Sequence, residues 1–351
     1  MLGTLYLWPT PAPSYNIHEY SWTKPSPPSA PRHLQASIPP SFQSISRSTT
    51  VPTSPQKATD TTLHLPRILC LHGGGTNARI FHSQCRVLRA RLSSHFRLVF
   101  AEAPFPSAPG PDVVSVYSNW GPFKAWFPPG SAAQRAGASL AAAYAHAQGQ
   151  SGDAVRIDDD LDIHDFAVQS IRKAIDDTMN QDDELGATGD WVGVLGFSQG
   201  AKMAASLLLQ QQREHEAEME SRNWGREWAP LTKSGRNVDY RFAVLLAGRA
   251  PMISLSLSEE DETDSLVTDT SYGTAFSFGF EPALYLPTIH VHGLKDPGLP
   301  LHRDLLDHGC EYGSTKLIEW EGGHRVPIKS QDVVLVVHAM LEIARKTGVI
   351  P

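Results

Sequence analysis

Trp191-Val192-Gly193-Val194-Leu195-Gly196-Phe197-Ser198-Gln199-Gly200-Ala201-Lys202-Met203-Ala204-Ala205 is the stretch that decides the fold. It opens on a short apolar run, which predicts a buried strand. It closes on small and apolar residues that continue to Leu208 and predict a helix. Between them, Gly196 to Gly200 fits G-x-S-x-G. Strand, tight turn and helix together are the setting of a nucleophile elbow. The two glycines let the backbone turn without a Cβ clash. The Ser198 hydroxyl is then left exposed near the positive end of the helix that follows. Five residues of this pattern recur by chance in many chains, so the flanks give the motif its weight.

Outward from this stretch, short apolar runs alternate with helical patterns. Arg67 to Leu71 is the first predicted strand and ends at His72-Gly73-Gly74-Gly75. Asn77 to Leu92 reads as one helix, with Ile80, Phe81, Val87, Leu88 and Leu92 at apolar 3–4 spacing. Arg97 to Phe100, Phe242 to Leu246, Thr288 to Val291 and Lys316 to Trp320 add four strands to those at Arg67 and Trp191. Val333 to Lys346 closes the chain as an apolar-faced helix. Continuous apolar strands alternating with helices predict an α/β architecture, a six-stranded and mainly parallel sheet flanked by helices. In such sheets, sites gather at the carboxyl ends of strands.

A serine hydroxyl is a weak nucleophile and needs a base, with a carboxylate to orient that base. Both follow Ser198 in the order the elbow setting requires. Asp296, in His292-Gly293-Leu294-Lys295-Asp296-Pro297, leaves the fifth predicted strand. His324, in Gly322-Gly323-His324-Arg325-Val326-Pro327, leaves the sixth. Taken alone, Asp296 reads equally as a turn or helix-cap residue and His324 as a surface polar residue; their order and shared placement at strand ends favour a triad. Oxyanion donors are expected from the backbone N–H of Gln199 and from the glycine turn after the first strand, with Gly74 as the candidate. That glycine turn lacks a G-x-x-x-x-G-K-[ST] sequence, and Ala78 stands where G-x-G-x-x-G needs its last glycine, so nucleotide binding is the weaker reading. A non-catalytic binding module on the same scaffold is the other alternative. No organic cofactor or metal is called for: His290 and His292 alternate on a strand with no third ligand spaced to join them.

The chain has 351 residues, 41% apolar and 19% charged, with net charge −7. This balance argues against nucleic acid as a partner. Eleven of its 27 prolines fall in the first 60 residues, a proline- and serine-rich stretch with no apolar periodicity. Residues 1–62 therefore read as a disordered tail and 63–351 as the folded domain. The tail makes a poor secretory signal and leaves organelle targeting open. Three widely spaced cysteines, Cys70, Cys85 and Cys310, suggest reduced thiols in a cytoplasmic protein, and no apolar run is long enough for a membrane span. Two connections, 103–160 and 248–286, are much longer than usual. Both leave strand ends on the side of the site. Aromatic residues in them, Trp126 and Phe127 among them, either line a substrate pocket or pack the loops onto the body.

The motifs around His72, Ser198, Asp296 and His324 together resemble the fungal serine hydrolase family of the α/β-hydrolase superfamily, over roughly residues 65 to 345. The resemblance implies Ser198, Asp296 and His324 as the triad. It also implies an esterase, or a thioesterase of polyketide pathways acting on an acyl group held by a carrier protein. The proline-rich tail, and an insertion near Gln134 to Asp153, depart from the family pattern.

Overall fold

Two rows of apolar side chains on every central strand dictate the architecture. The computed structural model describes residues 60–111, 113–128, 158–223, 238–257 and 283–351. The expected tail falls almost wholly outside these, as do the middle of the first long connection and most of the second. Six strands form one sheet: β1 (Arg67–Leu71), β2 (Arg97–Ala101), β5 (Trp191–Phe197), β6 (Val238–Leu246), β7 (Thr288–Gly293) and β8 (Thr315–Trp320). Their order is β2-β1-β5-β6-β7-β8, and every neighbouring pair is parallel. All residues of β1, β5 and β7 are buried, whereas the edge strands β2 and β8 are partly open. Central strands of a parallel sheet must be apolar on both faces because helices cover both.

Alternation along the strands sorts the core into two layers. Leu69, Leu71, Val194 and Leu245 face α4 (Asp158–Glu184) and α5 (Gln199–Asn223). Ile68, Cys70, Leu195 and Val244 face the other layer, made by α1 (Ala78–Gln84), α2 (Arg86–Leu92) and α7 (Ser330–Lys346). The carboxyl end of α4 is tied to the sheet edge by ion pairs. Asp182, itself buried, accepts from Arg97 at 2.7 Å and lies 3.5 Å from Arg67.

Several boundaries differ from the sequence reading. The helix expected from Asn77 to Leu92 is two helices, with Asn77 as the N-cap: its side chain accepts from Ile80 N. Cys85 separates them, with ψ of 8° instead of the helical value near −42°. The bend keeps Ile80 and Phe81 on one side of it, and Leu88 and Leu92 on the other, buried against the sheet. No glycine or proline marks the bend, so periodicity alone runs through it. Within the first long connection lie a two-stranded sheet of β3 (Phe105–Pro106) and β4 (Lys124–Ala125), a short α3 (Val114–Tyr117) and the start of α4. A further helix, α6 (Leu299–His308), follows Asp296; Pro300 in its first turn suits a helix start. Among the described residues, no helix is long and apolar enough to cross a membrane.

Candidate active site

The strand order reverses between β1 and β5, so the loops leaving their carboxyl ends diverge and open a crevice. Ser198 stands at this point, between β5 and α5. Its φ is 54°, in the left-handed region that costs a non-glycine residue energy. Close approach of the chain on both sides holds it there. A Cβ on Gly196 would lie 2.1 Å from Gly200 O, and a Cβ on Gly200 would lie 2.1 Å from Leu71 O. Only glycine fits at either position, and the start of α5 packs directly onto the end of β1. Ser198 O accepts from the N–H groups of Ala201 and Lys202.

The structure brings the other two predicted residues to the serine. Asp296 lies in the turn between β7 and α6, His324 in the loop between β8 and α7. His324 Nε2 is 2.8 Å from Ser198 Oγ, and His324 Nδ1 is 2.7 Å from Asp296 Oδ2. A carboxylate at Nδ1 fixes the ring proton there and leaves the Nε2 lone pair facing the serine hydroxyl. The Phe197 ring packs against the imidazole, with centroids 5.1 Å apart. Asp296 Oδ1 accepts from Gly298 N–H at 2.8 Å. Burial alone would raise the Asp296 pKa; the hydrogen bond and charge of His324, with the Gly298 N–H, outweigh it and hold the carboxyl below its ordinary value. Asp296 is thus ionised and ready to balance an imidazolium.

Gly74 and Gln199 meet across the crevice. A Cβ on Gly74 would lie 3.0 Å from Gln199 Oε1. That oxygen accepts from Trp126 N at 2.8 Å, and Trp126 Nε1 donates to His72 O at 2.8 Å. Trp126 therefore clamps the two turns together. Its indole and the Phe127 ring are buried in the core layer facing α4 and α5, where they pack the first long connection onto the body. His72 adds a second clamp that sequence reading missed. Its Nε2 accepts from Ala103 N at 3.1 Å, which leaves the proton on Nδ1, 2.8 Å from Gly73 O. Among the described residues, the N–H groups of Gly74 and Gln199 have no acceptor, and α5 directs its positive end to the same place.

A serine, a histidine and a carboxylate in hydrogen-bonded sequence at a strained elbow mark a serine hydrolase constellation. The profile described as serine hydrolase (FSH1) matches residues 61–336. The chain belongs to the FSH1 serine hydrolase family. This serine hydrolase is 47% identical over 297 residues to Esterase pigG of Monascus ruber, covering 83% of the present chain and 96% of that protein. It is 47% identical over 289 residues to Probable esterase azaC of Aspergillus niger, covering 82% and 89%. Esterase citA of Monascus ruber is 46% identical over 293 residues, covering 82% and 96%. The solved structure of Arabidopsis thaliana SOBER1 aligns with 79% of the chain and 98% of its own, at 15% identity and a TM-score of 0.38; the fold assignment rests on the sheet itself.

Three buried histidines, His290, His292 and His302, lead up to His324 in a row that the sequence did not reveal as a group. His290, His292, His302 and His324 follow one another with ring centroids 5.9, 5.5 and 6.3 Å apart. His302 Nε2 lies 3.7 Å from Asp296 Oδ2, beyond hydrogen-bond range. The ligand atoms of Asp296, His302 and His324 fall within 4.8 Å of one another, but a cation among them would have to displace the His324–Asp296 hydrogen bond. Burial first, then the charges of His292 and His302, push His290 down to about 3; burial pushes His302 down to about 3 against the opposing charge of Asp296, and His292 down to about 4. All three are neutral in the folded protein at neutral pH. Below about pH 6.5 the unfolded chain takes up protons that these folded imidazoles refuse. Stability is therefore expected to fall steadily as pH drops from 6.5 toward 4, with Tm measured by calorimetry. Replacing His292 with Phe should flatten that slope, and an unchanged slope would contradict the assignment.

Proposed function

We propose that this serine hydrolase cleaves a carboxylic ester or an acyl thioester through an acyl-serine intermediate, with Ser198, His324 and Asp296 as its triad. The observation that carries the reading is the unbroken hydrogen-bond chain from Asp296 through His324 to Ser198 Oγ. Ser198 Oγ attacks the carbonyl carbon while His324 Nε2 takes its proton. The oxyanion that forms is held by the N–H groups of Gly74 and Gln199, which need a partner of this kind. His324 then passes its proton to the leaving alcohol or thiol, and the C–O or C–S bond breaks. Water, deprotonated by His324, attacks the acyl-serine, and collapse of the second tetrahedral intermediate returns the proton to Ser198 and releases the acid. The chemistry uses no metal and no organic cofactor.

The names of the relatives favour esters, and the family resemblance favours a place in fungal secondary metabolism, in polyketide biosynthesis. There the acyl group would arrive on the thiol of a carrier protein. Ester and thioester pass through the same tetrahedral chemistry, so the triad accepts either. A panel of p-nitrophenyl esters and matched acyl-pantetheine thioesters of rising chain length tests this. Turnover of both series, with kcat/KM changing at least tenfold along the chain length, is expected. Turnover of esters with no thioester cleavage would confine the activity to esters and remove the carrier-protein partner.

A further inference from the structure

The two N–H groups that face the oxyanion are held in different ways. That of Gln199 lies at the start of α5, where the elbow and the helix behind it fix the backbone. That of Gly74 sits in mid-turn with a glycine on either side, so no side chain of the turn's centre anchors it. Left alone, such a turn samples many conformations, and a displacement of about 1 Å in a catalytic site costs on the order of 10^2-fold in rate. The turn is instead braced from outside. Lys124, in β4, pairs with its far side: Gly75 N donates to Lys124 O at 2.9 Å, and Lys124 N to Thr76 O at 2.7 Å. Two residues on, the Trp126 indole holds the near side through His72 O. Just past the turn, Asn77 Nδ2 donates to Trp120 O at 2.7 Å and to Pro122 O at 2.9 Å.

This brace reaches the elbow through the side chain of Gln199. Its Oε1 accepts from Trp126 N at 2.8 Å, and the same oxygen lies 3.0 Å from where a Cβ on Gly74 would stand. Trp126 is fully buried, so its N–H left without that acceptor would be costly, which holds the amide in this orientation. Gln199 thus carries one oxyanion donor on its backbone and packs its side chain against the turn that carries the other. The gap between the two donors is set by that amide and by Trp126, and a glycine turn alone has no means of setting it.

We infer that Trp126 and the Gln199 side chain are positioning residues, which preset the Gly74 N–H for the oxyanion before substrate arrives. The inference rests on the Ser198 reading, and its test separates the two. Gln199→Met keeps the side-chain length and the helix start but removes the acceptor for Trp126 N. With p-nitrophenyl butyrate as substrate, kcat is expected to fall by about 10-fold to 100-fold with KM within about twofold, because the oxyanion exists only in the transition state. Trp126→Phe deletes one N–H and keeps a ring in the core. It should lower kcat by only about 3-fold to 10-fold, since Lys124 still holds the far side of the turn. Combined in one chain, the two substitutions should cost no more than Gln199→Met alone. Once Trp126 N has lost its acceptor on the elbow, the indole bond no longer couples the turn to it.

An alkyl trifluoromethyl ketone separates positioning from packing. Ser198 Oγ adds to its carbonyl carbon, His324 Nε2 takes the hydroxyl proton, and the former carbonyl oxygen stays in the hole as an anion. Its Ki is expected to rise in each variant by the factor by which kcat/KM falls. Trp191→Phe makes the same indole-to-phenyl change in the same core layer, at the start of β5, where Nε1 has no hydrogen-bond partner among the described residues. That variant should lower Tm and leave kcat and Ki within about twofold of the parent. Parent-like kcat and Ki in Gln199→Met and Trp126→Phe, with Ser198 still labelled by a fluorophosphonate, would overturn the bracing and leave Ser198 in place. A fall in kcat with Ki unchanged, or costs that add in the double variant, would overturn it as well. A parent protein that the ketone does not inhibit, and that gains no adduct on Ser198, would remove the Ser198 reading and the bracing with it.

Discussion

Ser198→Ala is expected to lower kcat by about 10^4-fold to 10^6-fold, the loss seen when a triad nucleophile acting as part of a unit is removed. The substitution deletes only Oγ, whose partner is His324 Nε2 at 2.8 Å. The φ of 54° at this position is imposed by the contacts of Gly196 and Gly200 with neighbouring backbone, and alanine inherits it as serine does. Tm should therefore shift by no more than a few degrees. The fall in rate must be read in kcat, with KM nearly unchanged, since the hydroxyl acts in the transition state and contributes little to ground-state binding. A variant that keeps more than a hundredth of the parent rate would mean that another group supplies the nucleophile.

Asp296→Asn is expected to cost about 10^4-fold in kcat with the site still assembled. Asparagine has nearly the same shape and can still accept from Gly298 N–H. What changes is the atom that faces His324 Nδ1, now 2.7 Å from a carboxylate oxygen. An amide NH2 turned toward Nδ1 makes that nitrogen an acceptor and moves the ring proton to Nε2. The imidazole then presents a donor to Ser198 and cannot take its proton. The lost negative charge also leaves the imidazolium formed during reaction unbalanced. Asp296→Ala removes the carboxylate without offering a donor, so comparison of the two variants separates the tautomer from the charge. If Asp296→Asn kept full activity, Asp296 would be a turn residue and nothing more.

Ser198, Asp296 and His324 were legible because each sits in a short local pattern whose geometry is set nearby. Gly196 and Gly200 make the elbow, and the ends of β7 and β8 deliver the other two. The central strands β1, β5 and β6 were legible for a related reason, since burial on both faces leaves apolar runs such as Ile68 to Leu71, Trp191 to Leu195 and Phe242 to Leu246. The bend at Cys85 was not, because a buried cysteine with continuing backbone hydrogen bonds leaves the apolar period intact on both sides. The hydrogen bonds by which Trp126 bridges His72 O and the Gln199 side chain were not legible, because they depend on loops that meet only in the folded chain. His302 is hidden in the same way: on α6 it has the spacing of an ordinary helix residue, and only the packing of α6 beside β7 brings it to the triad.

In the proposed reaction Ser198 Oγ is the atom that becomes acylated. Treating the full chain with a fluorophosphonate and measuring its intact mass tests this most directly, with peptide mass spectrometry to find the modified residue. A single adduct is expected, on Ser198, formed rapidly in the parent protein, slowed strongly in Asp296→Asn and absent in Ser198→Ala. An adduct on any other residue, or labelling that persists in Ser198→Ala, would contradict it.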